Sequence, residues 1–158
     1  MAGYIKFDGV DGEAQDKDHK GWSDLASFSQ PIHKPGAGTG PTRRRGDVVL
    51  EDIVVVKEID KSTPKLGEAL CKGKVFPKVE IHLTASYTDA GRQTYFAYEL
   101  KNVQISSYTI SGSGQSEDVP VEEVSFNFEE IKVTYTECDA KGKKKGNVEY
   151  QWKVEEGE

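Results

Sequence analysis

Residues 8–21, DGVDGEAQDKDHKG, hold five carboxylates and a histidine in fourteen positions, a density that raises the question of a calcium site. An EF-type loop needs acids or amides at positions one, three and five, glycine at six and a bidentate glutamate at twelve, because the chain must turn sharply while its oxygens converge on one ion. A frame from Asp8 puts Val10 at three and Gly12 at five, and one from Asp11 puts Asp16 where the glycine belongs. The frame from Asp16 has Asp18 at three and Gly21 at six, but Lys20 aims an ammonium at the ion and Ser27 replaces the glutamate. The spacing predicts a solvated, charged connection with no metal.

The other residues capable of chemistry are spread thinly. Cys71 and Cys138 lie far apart with no CxxC, so both read as reduced thiols. His19, His33 and His82 are scattered; only His82 falls inside a strand pattern, on its polar face, where an exposed or hydrogen-bonded imidazole is expected rather than a ligand. Gly36, Gly38 and Gly40 meet neither the GxxxxGK[ST] nor the GxGxxG spacing, and Pro41 removes a backbone donor that a phosphate cradle would use. Ser113 sits directly between Gly112 and Gly114, which makes a soft loop and not a nucleophile elbow. The neighbouring acids Glu122 with Glu123 and Glu129 with Glu130 point to opposite faces of a strand, so neither pair serves a glycosidase. No catalytic residue and no cofactor emerges, and the expectation is a protein that is not an enzyme.

The elements that would position any site are mostly strands. Alternation of period two recurs from end to end, with β-branched and aromatic residues crowding the alternating segments. Ile5 and Phe7 share a face of the first strand, and Trp22, Ala26, Phe28 and Ile32 share one of the second. Residues 52–56, DIVVV, are apolar enough to be covered on both sides. Val79, Ile81, Leu83, Ala85 and Tyr87 oppose Glu80, His82, Thr84 and Ser86, predicting one buried and one wet face. A hairpin turn follows on Asp89 and Gly91, and a bulge is expected at Lys101 and Asn102. Val124, Phe126 and Phe128 have the opposite parity to Ile131, Val133 and Tyr135, which predicts a bulge near Glu129 and Glu130; Val148, Tyr150, Trp152 and Val154 alternate in the last strand.

One segment carries helix punctuation. In residues 62–74, STPKLGEALCKGK, Thr63 suits an N-cap, Pro64 the first helical position and Gly73 the C-terminal stop, while Leu66, Ala69 and Leu70 recur at helical spacing. Leu66 and Leu70 are the expected contacts of this helix with the core. With one short helix among seven or so strands and no βαβ alternation, the predicted fold is mainly β: an antiparallel two-sheet barrel or sandwich with one helix packed on it. Two long soft loops interrupt it, residues 33–46 and 111–120.

Composition bounds the partners. The chain of 158 residues makes a single domain, 1–158, that buries roughly two thirds of the surface of its unfolded state without a staple. A formal charge of -6 argues against nucleic acid as a partner, despite the local basic runs at Arg43, Arg44, Arg45 and Lys141 to Lys145. No apolar run approaches the roughly 20 residues of a membrane span, and the start lacks the features of a secretory signal, so any export is expected by a route without a cleaved peptide.

The order of these pieces resembles the Hcp family, the haemolysin-coregulated proteins that form the inner tube of type VI secretion systems. YIKFDGVDGEAQDKDHKGW is similar to that family's opening strand and acidic connection, and DIVVVKEIDKSTPKLGEALCKGKVFPKVEIHL to its central strand, helix and following strand. YFAYELKNVQISSYTISGSG, EEVSFNFEEIKVTY and YQWKV follow in the family's order. The resemblance implies a subunit related to phage tail-tube proteins that closes into a homo-hexameric ring. Stacked rings form a hollow tube, assembled in the cytoplasm with sheath and spike proteins. It is expelled on sheath contraction, with small effectors able to ride in its lumen. Within that reading, the loop bearing Gly36, Arg43, Arg44 and Arg45 is the expected ring-to-ring contact. The rival readings are a carbohydrate- or ligand-binding β-sandwich, on the aromatics Trp22, Tyr95, Tyr98 and Trp152, and a small β-fold hydrolase.

Overall fold

The computed structural model describes residues 2–34, 48–115 and 117–154. Their elements, in chain order, are β1 (Ala2–Phe7), β2 (Ser23–Leu25), β3 (Ser27–Ser29), β4 (Ile32–His33), β5 (Val49–Leu50), β6 (Ile53–Glu58), α1 (Thr63–Lys72), β7 (Val75–Tyr87), β8 (Gly91–Ser111), β9 (Val121–Asn127), β10 (Glu130–Cys138) and β11 (Lys144–Lys153). Neighbours in the main sheet run β2-β1-β7-β8-β9-β6-β3, every pair antiparallel, and β4 pairs with β5 apart from it.

The ends of that path are two halves of one segment. Only Ala26 separates β2 from β3, and its N–H donates to the Val56 carbonyl at 2.8 Å. One bent stretch therefore pairs with β1 at one end of the path and with β6 at the other, so the sheet wraps round on itself and these two ends are not left as open edges. The second strand expected across Trp22 to Ile32 is thus three short pieces, paired with β1, β6 and β5 in turn. No single face is shared along it, because each piece takes its partner from a different wall.

A crease runs across the sheet. Inward residues change parity together: Phe76 to Val79 on β7, Leu100 to Val103 on β8, and Phe128 to Ile131 between β9 and β10 are all buried. The positions between them meet across the strands, with Lys78 opposite Lys101 and Lys101 opposite Glu130. Asn102 stands there at φ +53°, in the left-handed region that asparagine tolerates best among non-glycine residues, where the sequence predicted an irregularity. The bulge expected near Glu129 is no inserted residue. Asn127 pairs with Gln104 and Glu130 with Lys101, so the register against β8 carries straight through the break.

The helix begins at Thr63 with Ser62 before it, one residue earlier than the expected cap; Ser62 has no capping bond because its hydroxyl donates to Asp60 instead. Thr63 Oγ1 accepts the Asp60 N–H at 3.0 Å. Gly73, at φ +65°, closes the helix as predicted, its N–H reaching the Leu70 carbonyl at 3.2 Å. Leu66 is fully buried in the core, whereas Leu70 is half-buried at its margin. Residues 52–56 are not covered on both sides to the same depth: Ile53 and Val55 face the core and Val54 and Val56 are only partly buried. Thr84 is buried against expectation, where the β7–β8 register shifts after Leu83; its hydroxyl donates to the Ala2 carbonyl at 3.2 Å and accepts from Arg92 at 3.0 Å.

Candidate subunit interface

Beyond β8 the sheet leaves the barrel. β10 pairs with the first half of β8 and β11 pairs only with β10, so the two form a wing whose outer edge has no partner strand among the described residues. Three rows of the core extend onto it: Leu100, Ile131 and Trp152; Tyr98, Val133 and Tyr150; Phe96, Tyr135 and Val148. Burial fades along these rows. Ile131 is 0% exposed and Val133 8%, but Tyr135 is 47%, Tyr150 46% and Val148 76%. The alternation of Val148, Tyr150 and Trp152 does mark a core-facing side; only Trp152 reaches the core of its own chain.

The wing is held rigidly. Asp139 Oδ1 accepts the N–H groups of Lys141 and Lys143, each at 2.9 Å, which fixes the turn between β10 and β11. Gly142, at φ +87°, presses that turn onto the β7–β8 turn, where a side chain would come within 2.7 Å of Tyr87 Cβ. A three-residue apolar face on a braced support, with about half or more of each side chain still in water, is a candidate contact surface.

The acidic connection has a structural explanation. Residues 8–22 fold back through Gly12 N–H to Gly21 O and Ala14 N–H to Trp22 O, both 2.8 Å, and Lys6 Nζ ties the fold to Asp11 at 2.7 Å and to the carbonyls of Val10 and Gly21. Two of the supposedly scattered histidines meet: His19 Nδ1 lies 2.5 Å from Asp16 Oδ2, its Nε2 3.0 Å from His82 Nδ1, and His82 Nε2 3.3 Å from Glu80 Oε2. Tyr4 stacks on His19 and Trp22 leans on His82. Among the described residues no group of three or more histidines, cysteines or acids is placed to hold a metal ion.

The hydrogen bond to His82, with that from Lys78, outweighs burial and holds the Glu80 carboxyl down to about 2; His19 likewise holds Asp16 below the usual carboxylate range. A carboxylate so depressed adds stability above its unfolded pKa and loses it as pH falls through the folded one. Unfolding free energy is therefore expected to drop between about pH 4.5 and pH 2, and Glu80→Gln combined with Asp16→Asn should flatten that slope in urea titrations at stepped pH.

Sequence reasoning missed a second buried cluster. Lys57, 0% exposed, forms an ion pair with the equally buried Glu122 and reaches Asp60 Oδ1 at 3.0 Å. Tyr108 donates its hydroxyl to Glu122, and burial, then this carboxylate, raises the Tyr108 pKa. The Ser62 N–H donates to Asp60 Oδ1 at 2.8 Å. Bonds from Ser62 and Lys57 outweigh burial and hold Asp60 below its ordinary range. The cluster pins the start of α1 to β6, β8 and β9.

Of the residues singled out in the long loop, Gly36, Arg43, Arg44 and Arg45 lie outside the described residues. Its beginning is described: His33 pairs with Val49 and Ile32 with Leu50, so His33 is a strand residue in an antiparallel stem that flanks the loop, with Ile32 and Val49 exposed.

The family description "Type VI secretion system effector, Hcp" matches residues 4–135. Protein hcp1 of Pseudomonas aeruginosa is 34% identical over 153 residues, 96% of this chain and 93% of that protein. A solved structure described as a type six secretion system protein aligns with a TM-score of 0.90 at 28% identity, covering 100% of this chain and 98% of the other. Hcp1 from Salmonella typhimurium has the same fold, with a TM-score of 0.79 at 20% identity, covering 99% and 97% of the two chains. A family match running from β1 through most of β10, with a relative alike along nearly the full length, shows that the chain belongs to the Hcp family of type VI secretion proteins.

Proposed function

We propose that this chain is the structural subunit of a type VI secretion inner tube, six copies closing into a ring and rings stacking into a hollow tube. One observation carries the ring: the core rows run on into a braced, uncovered wing at Tyr135, Val148 and Tyr150. A face of that kind is stable in water when a second copy covers it, and a wing meeting a different part of its neighbour makes the head-to-tail contact that a ring requires. Membership of the family supports the further reading that the tube assembles in the cytoplasm with sheath and spike proteins and is expelled with small effectors. No helix among the described residues is long and apolar enough to cross a membrane.

The rival readings lack support. Tyr98 is buried and Trp152 packs on the core, so neither aromatic is free to stack on a sugar. A small depression lined by Glu13, Asp24, Glu58 and Asp60 gathers carboxylates, yet Asp60 is held below the ordinary range by Ser62 and Lys57, the reverse of a general acid. The chain is read as non-enzymatic. Electron microscopy and the native mass of the purified protein test the assignment: six-membered rings are expected, and a stable single subunit overturns it.

The loop bearing Gly36, Arg43, Arg44 and Arg45 is proposed as the ring-to-ring contact. Its antiparallel stem projects exposed Ile32 and Val49, and three arginines offer forked donors to carboxylates of the adjoining ring. Replacing all three arginines by glutamate should leave ring-sized particles on a sizing column while long tubes and secretion are lost. Subunits at monomer mass would instead assign the loop to ring closure.

A further inference from the structure

We infer that the ring-closing contact is set by charge: the lysine-bearing end of the wing of one copy seats on the acidic seam between β2 and β6 of the next. The inference rests on the tube-subunit reading and names the two surfaces that meet.

The wing ends in Lys141, Lys143, Lys144 and Lys145, all exposed, and none of the four forms an ion pair among the described residues. Gly146 and Asn147 separate the last of these cations from Val148, where the bare apolar face that includes Tyr150 begins on β11. The complementary surface is where the barrel closes on itself. There Glu13, Asp24, Glu58 and Asp60 line one depression of about 110 Å³. Asp60 is engaged by Lys57 and Ser62, and Glu13 accepts the Lys61 N–H at 3.3 Å. Asp24 and Glu58 are exposed and have no ion pair among the described residues.

Placement makes the two surfaces partners in different copies. β8, which carries the wing, is separated from β2 by β7 and β1, and from β6 by β9. The wing and the acidic seam therefore lie on opposite sides of the barrel, so neither can satisfy the other within one chain. Two unlike, complementary patches on opposite sides of one subunit produce a heterologous contact that repeats from copy to copy and closes when the rotation per step allows. The charge match fixes which surface the wing meets and the register at which it seats, while the apolar face supplies the area that leaves water.

The test is a charge exchange between two variants of the full chain. One carries Lys143→Glu, Lys144→Glu and Lys145→Glu; the other carries Glu13→Lys, Asp24→Lys and Glu58→Lys. Each alone sets like charge against like, so each should run at subunit mass under conditions where the unaltered protein forms rings. An equimolar mixture should restore rings in which the variants alternate, visible by microscopy and as a mixed mass in native mass spectrometry. Restoration also shows that both variants are folded. Rings from either variant alone overturn the inference, as does a mixture of folded variants, with melting temperatures near that of the unaltered protein, that stays at subunit mass. Absence of rings from the unaltered protein would strike the tube-subunit reading itself, which separates the two failures.

Discussion

Glu122→Ala will lower the unfolding free energy by about 3 to 5 kcal/mol, because it strands the Lys57 ammonium in a fully buried site. The loss is a desolvation effect before it is a lost attraction: Lys57 keeps only Asp60 Oδ1 at 3.0 Å and the Glu58 carbonyl at 3.2 Å, and the Tyr108 hydroxyl loses its carboxylate acceptor. The same reasoning sets the sign of the control. Replacing the pair together, Lys57→Met with Glu122→Leu, removes both buried charges and keeps the volume, so its cost should be far smaller than that of Glu122→Ala, or even reversed. Urea unfolding at fixed, equal protein concentration measures both, since ring formation adds to apparent stability by mass action. A single-variant loss below about 1 kcal/mol would mean that water reaches Lys57 and that the cluster is not sealed.

Leu66→Ala is expected to cost about 2 to 5 kcal/mol, the range for a large-to-small change at a closed core position. Leu66 is 0% exposed beneath the helix, where the surrounding strands leave little room to relax into the space. Leu70→Ala should cost less, because Leu70 is only partly buried at the margin of the core and gives up less surface to it. Equal losses at the two positions would show that the helix sits rotated toward Leu70. Helical spacing alone assigns the two leucines the same role. The difference arises because Leu66 lies wholly inside the core cluster whereas Leu70 packs only against its margin.

Local signals carried much of the architecture. Pro64 and Gly73 bound the helix in the sequence as they do in the structure, because a fixed φ at one end and a left-handed stop at the other act within a few residues. The parity change between Phe128 and Ile131 was legible too, although its meaning was not: an inserted residue and a crease shared by three strands leave the same trace in one strand. Even Lys57 and Glu122 sit at inward parity, in step with Ile53 and Val55 and with Val124 and Phe126. What pairs them is the register of β6 against β9, which places them directly opposite each other. His19 and His82 meet for the same kind of reason, across 63 positions of chain.

By itself the sequence determined the bounds of the helix and the apolar side of the longer strands, such as Val79 with Ile81 and Val124 with Phe126, since periodicity and capping depend on near neighbours. Only the tertiary structure decided that the segment after Trp22 would break to serve both edges of the barrel, and that the apolar side of β11 would be left bare at Val148 and Tyr150. Alternation records that a face avoids water; whether its own chain or another copy covers it depends on where the strand falls relative to the closed barrel, and that is settled by pairings between residues far apart in sequence.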